Sequence, residues 1–300
     1  RQRVRHAVGG VADALGGGPR DLGDAAADDA VDLREVSAAQ RRDVVACANG
    51  ATAEFVAEGQ GPTLVLLHGL QSNLAVWDAV CAHLTGFECV RLNFPGRGGS
   101  AGWHGAPEGA AAFYSLAGFA DLLHALVRQL VDTRGQTVGI AGWSMGAMVT
   151  LEYLRRHGAA DLHSVALCSG LSKVAGVADI FHADDDASLL AEISRRSEKA
   201  GLTAADPQAV LHCWRSMQHF DCRGDLARID VPTLVLHGTD DADCPFTDAM
   251  QVAERVPGAR LRALHGAGHL VLSERSAEVA LALATHARAA AAARYGTRAV

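Results

Sequence analysis

Short, largely apolar runs recur along the chain at 63–68 (TLVLLH), 87–92, 137–141, 164–168 and 233–237, several of them bounded by Gly, Pro or polar residues, and a last strand is expected at 260–264. Such runs, without polar alternation, predict strands buried on both faces, as in a parallel sheet. Between them apolar positions repeat at intervals of three and four, predicting helices over 75–84, 116–131 and 145–157, with Ser72 or Asn73 and Ser115 as caps. This rhythm predicts the α/β class, a doubly wound and mostly parallel sheet. Ahead of it, DVVACA and ATAEFVAE flank Asn49-Gly50, the dipeptide of a type I′ hairpin turn, so one folded domain is expected over 43–300. After Ser169 the rhythm stops for roughly sixty residues, with helical patterns at 188–200 and 206–217. A helical cap over about 171–228, inserted after the sixth strand, is the expected reading. A final helix starts near Ser276. Residues 1–42, rich in Gly, Ala and Asp without clear period, read as a mobile or loosely helical extension. The first residue is not Met, as expected of a processed or excised segment.

Charge and cysteine content narrow the classes of function. The formal net charge is −7 and no dense Lys/Arg cluster exists to follow a phosphate backbone, so nucleic acid is not an expected partner. Seven cysteines, scattered and without a C-x-x-C pair, predict neither a disulfide framework nor a zinc knuckle, and suggest a reducing cytoplasm. No stretch of 18 apolar residues predicts a membrane span, and the first 18 residues lack the apolar core of a secretory signal. What remains is a small-molecule enzyme or binding protein, with no cofactor or metal expected.

The chemistry concentrates around Gly142-Trp143-Ser144-Met145-Gly146, placed where an apolar strand ends and a helix begins. A G-x-S-x-G run in that context forms a sharp turn that lifts the serine hydroxyl above a sheet. A serine hydroxyl is a weak nucleophile at neutral pH and needs a base held in one tautomer by a carboxylate. After strand TLVLH comes Gly238-Thr239-Asp240-Asp241, where Asp241 is the expected acid, with Asp240 and Asp243 as alternatives in the same loop. After the last strand comes Gly266-Ala267-Gly268-His269, which makes His269 the expected base. His265 and His269 have the spacing of a zinc pair, but the glycines between them oppose a helix and the Glu of H-E-x-x-H is missing. The expected donors to an oxyanion are the amides of Met145, after the nucleophile, and Leu70, in the loop after TLVLLH. Trp143, Trp214, Met217 and Phe220 are candidates for an apolar acyl pocket; Trp214 also shares a helical face with Leu211, which burial alone explains.

Over roughly 43–283 the chain resembles the α/β-hydrolase superfamily, in the branch with a His-Gly oxyanion loop and a helical cap. The resemblance rests on LVLLHG at 64–69, NFPGRGGS at 93–100, GWSMGA at 142–147, LVLHGTDD at 234–241 and GAGH at 266–269, in that order. It implies the α/β-hydrolase fold and a Ser144–Asp241–His269 triad acting on a small acyl substrate, a carboxylic ester or thioester. Carbon–carbon bond hydrolysis, acyl transfer or cyclisation use the same triad, and a hydrolase-fold binding protein with little turnover is the reading from another class. Asn93 departs from the Asp that is commoner ahead of the Pro-Gly turn, which bears on a local hydrogen bond.

Overall fold

The computed structural model describes residues 40–47, 50–178, 180–200 and 205–296. Eight strands form one sheet in the order β1-β2-β4-β3-β5-β6-β7-β8. Strands β1 (Arg41–Ala46) and β2 (Thr52–Gly59) form an antiparallel hairpin, and β2 also runs antiparallel to β4 (Glu88–Leu92). The remaining neighbours, β4 with β3 (Thr63–Leu67), then β5 (Val138–Trp143), β6 (Leu162–Cys168), β7 (Thr233–Gly238) and β8 (Arg260–Leu264), are all parallel.

Helices fill the crossovers: α1 (Asp78–Cys81), α2 (Ala110–Phe113), α3 (Leu116–Arg134), α4 (Met145–His157), α5 (Asp186–Ala200), α6 (Pro207–Gln218), α7 (Phe246–Arg255), α8 (Val271–Glu274) and α9 (Ser276–Tyr295). Ser115 caps α3 by accepting from the Gly118 amide at 2.9 Å, and Asp206 caps α6 by accepting from Gln208. Each satisfies an otherwise orphan amide of a first helical turn. Helices α5 and α6 are the cap inserted after the sixth strand. No single helix among the described residues is long and apolar enough to cross a membrane.

Alternate residues of the buried strands feed two cores. Val65, Leu67, Val90 and Leu92 join α3, α4 and α6 in one, whereas Leu64, Leu66 and Cys89 join Trp77 and α9 in the other. This two-sided burial is why the strands read as largely apolar runs.

Some boundaries differ from those expected. Strand β1 starts at Arg41, two residues before Asp43, because its exposed edge is held by charge: Arg42 pairs with Glu54 at 2.6 Å and Arg41 with Glu88 at 3.4 Å. The helix expected over 75–84 is a 3-10 turn, Leu74–Trp77, running into the single turn of α1, with the Asn73 side chain capping the Ala75 amide. The type I′ turn involves Asn49, which lies outside the described residues, as do positions 1–39 of the expected extension. All seven cysteines are free.

Candidate active site

Strand order reverses at β3: the chain goes from β3 to β4 on one side, then returns to place β5 on the other. Loops leaving the carboxyl ends of β3 and β5 therefore part, and the crevice between them is where open α/β sheets bind ligands. Leu70 follows β3 and Ser144 follows β5, so the topology places both at that crevice.

Ser144 has φ 56° and ψ −120°, one of two non-glycine residues with positive φ among those described. This region costs an L-residue about 1–3 kcal/mol and persists where surroundings enforce it. Two close approaches do so. A Cβ on Gly142 would collide with the Gly146 carbonyl, and one on Gly146 would lie 2.5 Å from the Leu67 carbonyl oxygen. The elbow is therefore as tight as glycine permits.

Above it, Ser144 Oγ lies 3.0 Å from His269 Nε2, and His269 Nδ1 lies 2.9 and 3.1 Å from the two carboxylate oxygens of Asp241. An ionised carboxylate only accepts, so Nδ1 carries the proton and the Nε2 lone pair faces the serine hydroxyl. Asp241 is fixed in turn: Oδ1 accepts from the amides of Asp243 (3.0 Å) and Cys244 (2.8 Å). Burial opposes its charge but is outweighed by hydrogen bonds from His237 and His269, the His269 charge and the Cys244 amide, which hold it well below the usual carboxylate range. Asp240 is turned away, its carboxylate accepting from the Thr239 hydroxyl, and Asp243 pairs with Arg196 at 3.0 Å. Of the three aspartates considered, Asp241 is the one that meets His269.

The loop after β3 lies beside the elbow, since a Cβ on Gly69 would fall 3.3 Å from Ser144 Cβ. Neither the Leu70 nor the Met145 amide has a protein acceptor among the described residues, and Met145 opens α4, where amides lack intrahelical partners. His68 ties this loop to the next: it donates from Nδ1 to the Gly69 carbonyl (2.7 Å) and accepts at Nε2 from the Phe94 amide (3.1 Å). A second proton on Nε2 would displace that amide. Complete burial, against a weaker backbone hydrogen bond and with the nearby Arg97 charge, lowers its pKa from 6.5 to about 3.

That shift sets a pH dependence. The unfolded imidazole takes up a proton as pH falls below about 6.5 while the folded one stays neutral, so stability is full above that pH and declines towards pH 3. At pH 5 the deficit is about 2 kcal/mol. Denaturant titrations of wild type and His68→Gln at pH 8 and pH 5 should show a smaller pH difference in the variant; equal differences would contradict this assignment.

The cap reaches the loops after β3, β5 and β7. Gln71 Nε2 donates to the Ser197 hydroxyl (2.8 Å) and the Ile193 carbonyl (3.2 Å) of α5, Arg196 pairs with Asp243, and Cys213 Sγ on α6 lies 3.3 Å from Met145 Sδ. Of the four expected pocket residues, Trp214, Met217 and Phe220 share a core with Met145, whereas Trp143 packs in the other. Its indole donates to the His269 carbonyl at 3.0 Å with the rings 5.2 Å apart, so Trp143 supports the imidazole loop.

Two contributors escape the sequence reading. His237, buried on β7, lies 3.3 Å from Asp241 Oδ2 and donates from the same nitrogen to the Cys244 carbonyl at 2.8 Å. Its only sequence signal is its place four residues before the acid. Arg97, fully buried in the turn after β4, donates to the Leu70 carbonyl at 3.0 Å. Asn93 explains its own departure: its amide donates to Glu54 (2.8 Å) while its carbonyl accepts from Leu74 (2.8 Å), and an Asp would repel Glu54. Donor atoms of Asp241, Cys244 and His269 lie within 4.8 Å of one another. Burial pushes the Cys244 thiol well up, which opposes the thiolate a metal needs, and the other two are already bonded together.

The model of the alpha/beta hydrolase family matches residues 64–283. A pimeloyl-[acyl-carrier protein] methyl ester esterase of Aromatoleum aromaticum is 29% identical over 243 residues, covering 69% of this chain and 91% of the relative. The polyketide synthase ThaQ of Burkholderia thailandensis is 27% identical over 88% of this chain, which spans 14% of that protein's length. Among solved structures, an esterase from Exiguobacterium antarcticum superimposes with a TM-score of 0.70 at 20% identity, covering 83% of this chain and all of the esterase.

Proposed function

The chain belongs to the alpha/beta hydrolase family, and on that premise we propose that it is a serine hydrolase cleaving a carboxylic ester or thioester through an acyl-enzyme on Ser144. The observation that supports this most is the unbroken hydrogen-bond chain from Asp241 through His269 to Ser144, at 2.9 and 3.0 Å. His269 removes the hydroxyl proton as Oγ attacks the carbonyl carbon, and Asp241 steadies the imidazolium that forms. The amides of Leu70 and Met145 receive the oxyanion. Protonated His269 then delivers its proton to the leaving alcohol or thiol, and water, deprotonated by the same imidazole, cleaves the acyl-enzyme. Substrate choice falls to α6 and the residues that follow it, where Trp214, Met217 and Phe220 provide an apolar wall beside Met145 for the acyl chain.

A fluorophosphonate probe should label wild-type Ser144, located by peptide mapping, and the protein should hydrolyse nitrophenyl esters or acyl thioesters. Thioester cleavage outpacing ester cleavage would assign it to the thioester branch, whereas the relative named as a methyl ester esterase supports the ester branch. An unlabelled wild-type protein inert to both substrate classes would refute the proposal and favour a binding role.

A further inference from the structure

Arg97 stands in the turn NFPGRGGS after β4 and is 1% exposed. Nη1 donates to the Pro95 carbonyl at 2.8 Å and Nη2 to the Leu70 carbonyl at 3.0 Å, while Cζ lies 5.5 Å from the centre of the Phe119 ring. Nε is buried without an acceptor, and among the described residues no carboxylate forms an ion pair with the guanidinium, Asp206 acting on it only from beyond that distance. The other deeply buried arginine is treated differently: Arg91 pairs with Glu58 at 3.0 Å and with Asp78. A guanidinium stays charged in proteins, and burying one without a counter-charge is costly. The cation is thus retained against its own burial cost.

Its surroundings suggest why. Leu70, whose carbonyl Arg97 holds, also carries one proposed oxyanion donor. Cys213, a neighbour of Arg97, places its Sγ 3.3 Å from Met145 Sδ, and Met145 carries the other donor. Arg97 therefore touches one donor residue directly and neighbours the thiol that touches the second. A charge there interacts weakly with a neutral ester and strongly with an alkoxide, which is the condition for accelerating the chemical step.

Building on the serine-hydrolase reading, we propose that Arg97 is the positioning residue of the oxyanion site: it anchors Leu70 through its carbonyl, one peptide beyond the donating amide, and supplies a positive charge that the oxyanion formed when Ser144 attacks can meet. A phenylboronic acid tests this, because Ser144 Oγ adds to boron, its proton moves to His269, and the tetrahedral boron becomes anionic. Steady-state hydrolysis of nitrophenyl butyrate and boronate inhibition are measured for the full chain, Arg97→Met and Arg97→Lys. Arg97→Met should lower kcat by on the order of 10²-fold, the scale of one lost oxyanion contact. It should weaken boronate binding by a similar factor, with KM within about twofold, and Arg97→Lys should recover part of both losses. The proposal is overturned if kcat falls while boronate affinity is kept, if Lys recovers neither, or if KM alone rises. It is equally overturned if the loss is confined to esters bearing a second carboxylate, which would make a substrate acid the counter-charge. Wild-type protein that binds no boronate and cleaves no ester would instead remove the underlying serine-hydrolase reading.

Discussion

Ser144→Ala should lower kcat for ester hydrolysis by on the order of 10⁶-fold and abolish fluorophosphonate labelling. The size follows from what the hydroxyl does. It is the only atom the substitution removes, and it stands 3.0 Å from the imidazole that is to activate it. Residual turnover would come from the Leu70 and Met145 amides, which still polarise a carbonyl for attack by water. The variant should fold, because alanine occupies the same strained backbone at φ 56° with no new atom to place in the elbow. Its melting temperature should therefore stay close to that of wild type, which separates lost chemistry from lost structure. Active-site titration with a nitrophenyl ester gives the comparison, and retention of more than about a hundredth of wild-type turnover would place the nucleophile elsewhere.

The sheet was legible in the sequence because strands buried on both faces leave largely apolar runs, and β3 through β7 fall within two residues of those runs; β8, carrying Arg260 and Arg262, is a mostly exposed edge strand. Ser144, Asp241 and His269 were legible for another reason: each follows a strand end at a glycine-rich turn, and local sequence records turns. Arg97 and His237 were not. Their importance lies in contacts across the fold, to Leu70 at 3.0 Å and to Asp241 at 3.3 Å, and nothing in their immediate neighbours encodes a partner 27 residues upstream or a carboxylate folded back on its own strand end. Trp143 shows the same limit from the other side. Its place beside the nucleophile suggested a pocket wall, but strand alternation turns it to the opposite face of the sheet from Met145, where it supports His269. Helix α7 was hidden because three aspartates and a proline precede it, and their turn character masks the period that follows.

Asp241→Asn should cost about 10⁴-fold in kcat while leaving the fold intact. The two carboxylate oxygens are not equivalent: Oδ1 accepts from the amides of Asp243 and Cys244, and Oδ2 faces His269 and His237. An asparagine must keep its oxygen on the two amides, since its NH₂ group would oppose them donor to donor. The NH₂ then points at His269 Nδ1 and donates to it. The imidazole is driven to the tautomer with its proton on Nε2, aimed at Ser144, where a lone pair is needed. The same substitution changes acid stability with a definite sign. Asp241 has a folded pKa below its unfolded value of about 3.9, so its stabilisation is full above that pH and is lost as pH falls through the folded value. The stability gap between wild type and Asp241→Asn should accordingly be largest near neutral pH and narrow below pH 4, the reverse of a histidine whose pKa is raised by folding. Turnover within tenfold of wild type, or a gap unchanged between pH 7 and pH 3 by denaturant titration, would mean that the charge of Asp241 is not what orients His269.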